Sequence, residues 1–159
     1  MSTDYQIRRA ESRDIGTLTS LFDGYRRFYE QEEDHAGCRR FLEERFRKRD
    51  SRILIAVDAA GAGLGFTQLY PTFSSVRMRS AWILNDLFVA EHARGHGVAE
   101  RLVNEARDLA SASGVAMLVL ETARDNRPAR SLYEKLGWRR VTEFDRYELD
   151  LDNRRQLTE

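Results

Sequence analysis

Six residues, Arg94, Gly95, His96, Gly97, Val98 and Ala99, stand between a long apolar run and a helical pattern, a setting that suits anion binding. A strand that turns into a helix through glycines aims several unpaired N–H groups outward. The helix dipole adds positive potential and Arg94 adds a cation, so a pyrophosphate would be well held there. The same two glycines also suit a tight connection and nothing more. Two nucleotide motifs can be set aside. Val98 and Ala99 stand where a Walker loop needs its lysine and hydroxyl, and Glu100 stands where a dinucleotide fingerprint needs a third glycine. Elsewhere, Asn85-Asp86 interrupt an otherwise apolar strand. Tyr133 lies on the apolar face of a helix, where an aromatic ring usually serves the core. Glu30, Glu32, Glu33 and Asp34 make an acidic stretch that reads equally well as a solvated helix end. One cysteine, Cys38, and three scattered histidines give no internal disulfide and no ligand cluster at metal-binding spacing, so no metal is expected.

Periodicity shows which elements must position these groups. Tyr5 to Arg9 reads as a short strand. From Ser12, a candidate cap, Ile15, Leu18, Leu21, Phe22 and Tyr25 share one helical face. A second helix follows through Cys38, Phe41, Leu42 and Phe46. Arg52–Val57 and Gly65–Tyr70 form a hairpin about Gly61-Ala62-Gly63, and Ser80–Ala90 is a long strand. The next helix carries Val98, Leu102, Val103, Ala106, Leu109 and Ala110 and stops at Gly114, ahead of a buried strand at Val115–Leu120. Asn126 suits an N-cap and Pro128 a first turn, with Ala129, Leu132, Tyr133 and Leu136 as the apolar face. Trp138–Leu151 alternates loosely and is expected to close the sheet as an antiparallel strand. The sum, β-α-α-β-β-β-α-β-α-β, predicts an α/β fold with helices on both faces of one sheet.

At 159 residues and 42% apolar content, the chain is expected to form a single domain over 1–159. Lys+Arg and Asp+Glu both number 26, so no overall charge draws it to nucleic acid or anionic lipid. Its longest uncharged apolar runs, such as Ile53–Val57, fall far short of the ~20 residues that cross a bilayer. Met1-Ser2-Thr3-Asp4 lacks the basic flank and apolar stretch of a signal, which makes a cytoplasmic location the expectation.

On these residues the chain resembles the GNAT superfamily of acetyl-CoA-dependent N-acetyltransferases. That family's pyrophosphate motif, Q/R-x-x-G-x-G/A, reads here as Arg94 to Ala99, directly after the long strand. Asn126-Arg127-Pro128-Ala129-Arg130-Ser131-Leu132-Tyr133-Glu134-Lys135-Leu136-Gly137-Trp138 looks like its N-x-x-A-x-x-L-Y-x-x-x-G-F/W segment. The order of elements extends the resemblance over residues 4 to 151. Gly65–Tyr70 and Leu84–Val89 look most similar to the diamine and histone-acetyltransferase-like small-amine branch, with a departure at Asn85, where some diamine-acetylating relatives carry glutamate.

The resemblance implies a mixed, mostly antiparallel central sheet, acetyl-CoA as cosubstrate and no metal. It implies that backbone groups of Leu87, Phe88 and Val89 hold the pantetheine arm and that Arg94, Gly95, His96, Gly97, Val98 and Ala99 receive the pyrophosphate. Asn126 and Tyr133 would lie near the thioester. A neutral amine attacks directly, a backbone N–H near Leu87 or Phe88 stabilises the oxyanion, and Tyr133 protonates the departing thiolate. An alkyl ammonium of pKa about 10.4 must first lose a proton, for which Asp86, through water, is the candidate base, with Glu121 in reserve. Adjacent strand residues point to opposite faces, so Asn85 and Asp86 both enter the site only if a bulge redirects one. Glu32 and Glu33 are expected to attract a cationic acceptor that Asn85 meets. The expected acceptor is the primary amine of a small molecule: a diamine, an amino acid or a related metabolite. The alternatives are a protein lysine or N-terminus and, in another class, a non-catalytic acyl-CoA sensor. Relatives commonly form homodimers, and Phe144, Tyr147 and Leu149 could support one.

Overall fold

Residues 4–152 are described by a computed structural model, and the chain falls into two units, Met1–Glu121 and Thr122–Glu159. The first holds β1 (Tyr5–Arg9), α1 (Ile15–Phe28), α2 (His35–Lys48), β2 (Arg52–Asp58), β3 (Gly63–Ser74), β4 (Arg79–Val89), α3 (Val98–Ala112) and β5 (Met117–Val119). The strands lie in the order β1-β2-β3-β4-β5. All neighbours are antiparallel except the parallel pair β4 and β5.

Local polar contacts set the element boundaries. Asp14, rather than Ser12, organises the approach to α1. Its carboxylate accepts from the Glu11 N–H at 2.7 Å and from both terminal nitrogens of Arg8 at 2.7 and 2.8 Å. Asp34 caps α2 by accepting from the Gly37 N–H at 2.9 Å. Between β2 and β3, Asp58 Oδ1 accepts from the Ala60 and Ala62 N–H groups at 3.0 and 2.9 Å, which fixes the expected turn.

Period-two alternation then divides the sheet's side chains between two layers. Ile53, Ile55, Val57 and Phe66 pack with Leu18, Leu21, Phe22, Cys38 and Leu42 of α1 and α2. Gly65 points the other way, towards α3. A Cβ there would sit 2.6 Å from the Phe88 carbonyl oxygen and 3.4 Å from a Leu102 methyl, so the close approach of β3 to β4 under α3 requires glycine. Leu18, Leu42, Ile55, Phe66 and Leu102 are fully buried, each contributing about 1.5–3 kcal/mol of transfer free energy.

Two expectations are corrected. The strand expected over Val115–Leu120 pairs only at Met117–Val119 and is half-buried, with one neighbour strand among the described residues. The closing strand over Trp138–Leu151 does not form. In the second unit α4 (Arg127–Lys135) is capped by Asn126, which accepts from the Ala129 N–H at 3.3 Å. The residues after it carry no strand pairing, and Phe144 and Tyr147 are 83% and 91% exposed. The apolar residues of this segment, Val141, Phe144, Tyr147, Leu149 and Leu151, all stay exposed, with no paired strand among the described residues to form a sheet with them.

Candidate active site

β4 is paired with β3 from Arg79 to Val89 but with β5 only at Ala81, Trp82 and Ile83. The Ala90 N–H donates to the Leu64 carbonyl at 2.8 Å. Antiparallel alternation therefore turns the backbone groups of Phe88 towards β3, and those of Leu87 and Val89 towards the opposite edge, beyond the stretch that β5 covers. On that edge Arg94 Nε donates to the Val89 carbonyl at 3.0 Å. The Arg94 guanidinium lies 5.8 Å from the centre of the Phe88 ring and 6.0 Å from that of Phe28. Six residues of β4, Leu84 to Val89, thus extend past the β5 pairing and lead to a cation.

The chain passes from there into α3 through Gly95 and Gly97, with φ of 80° and 75°. A Cβ at either would meet nothing within 4 Å, so the left-handed backbone, not crowding, selects glycine, and the surface stays open to a ligand. Gly97 is the N-cap and brings no capping side chain. The first N–H groups of α3 are therefore turned to an external acceptor, with the positive end of the helix dipole behind them. The residues fit a pyrophosphate on these grounds. His96 is exposed, and its carbonyl accepts from the Tyr5 hydroxyl at 3.5 Å.

Within β4 the register slips: Asp86 stands opposite Gln68, and Leu84 opposite Leu69. Asn85 is the extra residue of a β-bulge and is exposed, whereas Asp86 is 4% exposed. Asp86 Oδ2 accepts from Gln68 Nε2 at 2.7 Å, its Oδ1 from Asn85 Nδ2 at 3.0 Å, and its backbone carbonyl from Thr67 Oγ1 at 2.8 Å. Tyr25 of α1 reaches over this strip, its hydroxyl 3.5 Å from the Asn85 carbonyl and its ring 5.9 Å from that of Phe66. Burial first, and then the charge of Asp86 and a hydrogen bond with it, hold the Tyr25 phenol well above its ordinary pKa. Burial and Asp86 do the same to Tyr70. Both phenols are neutral donors at physiological pH. Among the described residues no cation pairs with Asp86, whose two carboxyl oxygens accept from the neutral amides of Gln68 and Asn85.

The other candidates belong to other segments of the chain. Glu32 and Glu33 are exposed in the α1–α2 connection: the Glu32 carbonyl accepts from Arg26 at 3.1 Å and Glu33 pairs with His35 at 3.2 Å. No hydrogen bond or ion pair among the described residues joins either to Asn85 or Asp86. Ligand atoms of Asp23, Glu33 and His35 lie within 4.8 Å of one another, but Arg27 ion-pairs with Asp23 at 3.1 Å. Glu121 is exposed beyond β5. Asn126 and Tyr133 belong to the second unit, where the half-buried Tyr133 ring lies 5.9 Å from that of Trp138. Sequence reading passed over Tyr25, Gln68 and Tyr70. The available signal was a polar pair, Thr67-Gln68, in the middle of the strand that hairpins onto Asn85-Asp86.

Residues 18–138 match the model of the acetyltransferase (GNAT) family. The chain is 47% identical over 145 residues to an uncharacterized N-acetyltransferase, YhfO, of Bacillus subtilis, an alignment covering 91% of this chain and 97% of that protein. A probable acetyltransferase of Haemophilus influenzae is 33% identical over 146 residues, covering 92% and 98%. A solved structure described as a probable acetyltransferase superposes with a TM-score of 0.86 at 38% identity, covering 92% of this chain and 97% of that one.

Proposed function

The chain belongs to the GNAT family of acetyltransferases, and from that premise we propose that it transfers acetyl from acetyl-CoA to the primary amine of a small molecule. The observation that carries this reading is the open edge of β4 at Leu87 and Val89, running directly into Arg94 and the uncapped start of α3. The family match spans both units, which supports taking them as one catalytic domain.

Acetyl-CoA supplies an activated acetyl thioester. The outward amides and carbonyls of Leu87 and Val89 bind its pantetheine arm, and Arg94 with the amides from Gly95 to Ala99 binds its pyrophosphate. In this reading an ammonium acceptor gives a proton through water to Asp86, and the resulting neutral amine attacks the acetyl carbonyl. A β4 N–H stabilises the developing oxyanion. Asn126 lies near the thioester, and Tyr133 protonates the departing thiolate, whose conjugate thiol has a pKa of about 8.5 by analogy with cysteine. Asn85, exposed on the bulge, meets the acceptor, and Glu32 and Glu33 raise its local concentration. The diamine-like branch, a cytoplasmic location and a homodimer using Phe144, Tyr147 and Leu149 complete the reading. The branch and the dimer rest on the family resemblance, the dimer also on the exposure of those side chains, and the location on the sequence of residues 1–4.

A thiol-release screen of polyamines, amino acids, aminoglycosides and peptides, run beside Tyr133→Phe, tests the proposal. Turnover with a small amine, lost in the variant while CoA affinity is kept, supports it. Turnover with peptides alone would transfer the acceptor to a protein, and no turnover with any amine would refute it.

A further inference from the structure

Gln68 lies in the middle of β3 and is 0% exposed. Its amide nitrogen donates to Asp86 Oδ2 at 2.7 Å, while its amide oxygen is buried without a hydrogen-bond partner among the described residues. A buried acceptor with nothing to accept is costly. The neighbouring groups explain what the vacancy is for. From α1, Tyr25 faces Asp86 with Tyr29 beside it. From β3, Tyr70 does so, with Arg45 of α2 and Asp50 acting in turn on Tyr70, and Asn85 covers the remaining carboxylate oxygen. In the arrangement present the amide nitrogens of Gln68 and Asn85 both donate to Asp86, which suits a carboxylate. A carboxylic acid at this position would need one acceptor, and the idle oxygen of Gln68 is on the same carboxamide that now donates.

We propose that Gln68 is a positioning residue that serves Asp86 in both protonation states, donating to the carboxylate through Nε2 and, after a half-turn of the carboxamide, accepting from the acid through Oε1. This deepens the acetyltransfer reading and rests on it. When the acceptor R–NH3+ gives a proton to Asp86, an N–H bond breaks and an O–H bond forms, and the freed nitrogen lone pair becomes the nucleophile. The amide product sheds a second proton, the leaving thiolate takes up one, and Asp86 returns its own to solvent. One proton is released per turnover.

The test is the pH–rate profile of Gln68→Leu and Gln68→Glu against the unchanged protein, with CoA affinity measured by calorimetry as the control for folding. Gln68→Leu removes both roles and should lower kcat by about 10- to 100-fold, with little change in KM for acetyl-CoA. Gln68→Glu places two carboxyl groups within hydrogen-bond distance, where they share a proton, and should move the acidic limb of kcat up by about one pH unit or more. It also carries the test should Gln68→Leu fail to fold. Profiles and kcat values that superimpose on the unchanged protein's, in variants that bind CoA normally, would overturn the role of Gln68 while leaving acetyl transfer in place. An unchanged protein that releases no thiol from acetyl-CoA with any amine would instead remove the acetyltransfer reading and this inference together.

Discussion

The two halves of β4 differ in a way that separates folding from chemistry along a single strand. From Ala81 to Ile83 it is flanked by β3 on one side and β5 on the other, its side chains are apolar, and Ala81 and Trp82 are buried. From Asn85 to Val89 it keeps only β3, opens with a polar pair on a bulge, and is half-buried for most of its length. A strand with two neighbours has no backbone groups left for a ligand, whereas one that loses a neighbour presents a row of them. The bulge marks the change of role, because it brings the exposed Asn85 side chain within hydrogen-bond distance of the buried Asp86 carboxyl.

Substitutions in the two halves should accordingly fail in different ways. Asp86→Asn is expected to lower kcat by about 10²- to 10⁴-fold, with a melting temperature close to that of the unchanged protein; steady-state kinetics beside thermal denaturation checks both. Trp82→Ala should do the reverse, costing about 3–5 kcal/mol of stability by denaturant titration while the molecules still folded turn over normally. Equal losses of stability from both would erase the distinction. Asp14→Asn, remote from both halves, should cost about 1–3 kcal/mol through its lost bonds to Arg8 and Glu11. Asp14 is held below the usual carboxylate range chiefly by the Arg8 hydrogen bond. Its contribution is therefore full above the unfolded carboxyl's value near 4 and is lost as pH falls through the lower folded value, so the variant and the unchanged protein should converge in acid. Arg94→Ala should raise KM for acetyl-CoA about tenfold, with a smaller difference at high salt.

Sequence reading captured what local chemistry decides. Gly95 and Gly97 announce a tight strand-to-helix turn, Asn126 and Pro128 a helix start, and the stripe from Val98 to Ala110 a helix. It left the bulge conditional, because register is a property of two strands and β3 supplies half of it. Gln68 and Tyr25 stayed hidden for the same reason, their contacts with Asp86 and Asn85 spanning 18 and 60 residues of chain. At Trp138–Leu151 the alternation misled, since a strand also needs a paired neighbour, and these residues carry no pairing and leave Phe144, Tyr147 and Leu149 exposed.

Hydrogen exchange of the purified protein with and without CoA tests most directly whether the unpaired edge of β4 and the start of α3 form one binding surface. Slowed exchange at Leu87, Val89 and the amides from Gly95 to Ala99 is expected, with the Ala81–Ile83 stretch unaffected. Binding that leaves those amides unprotected, or no detectable binding at all, would contradict it.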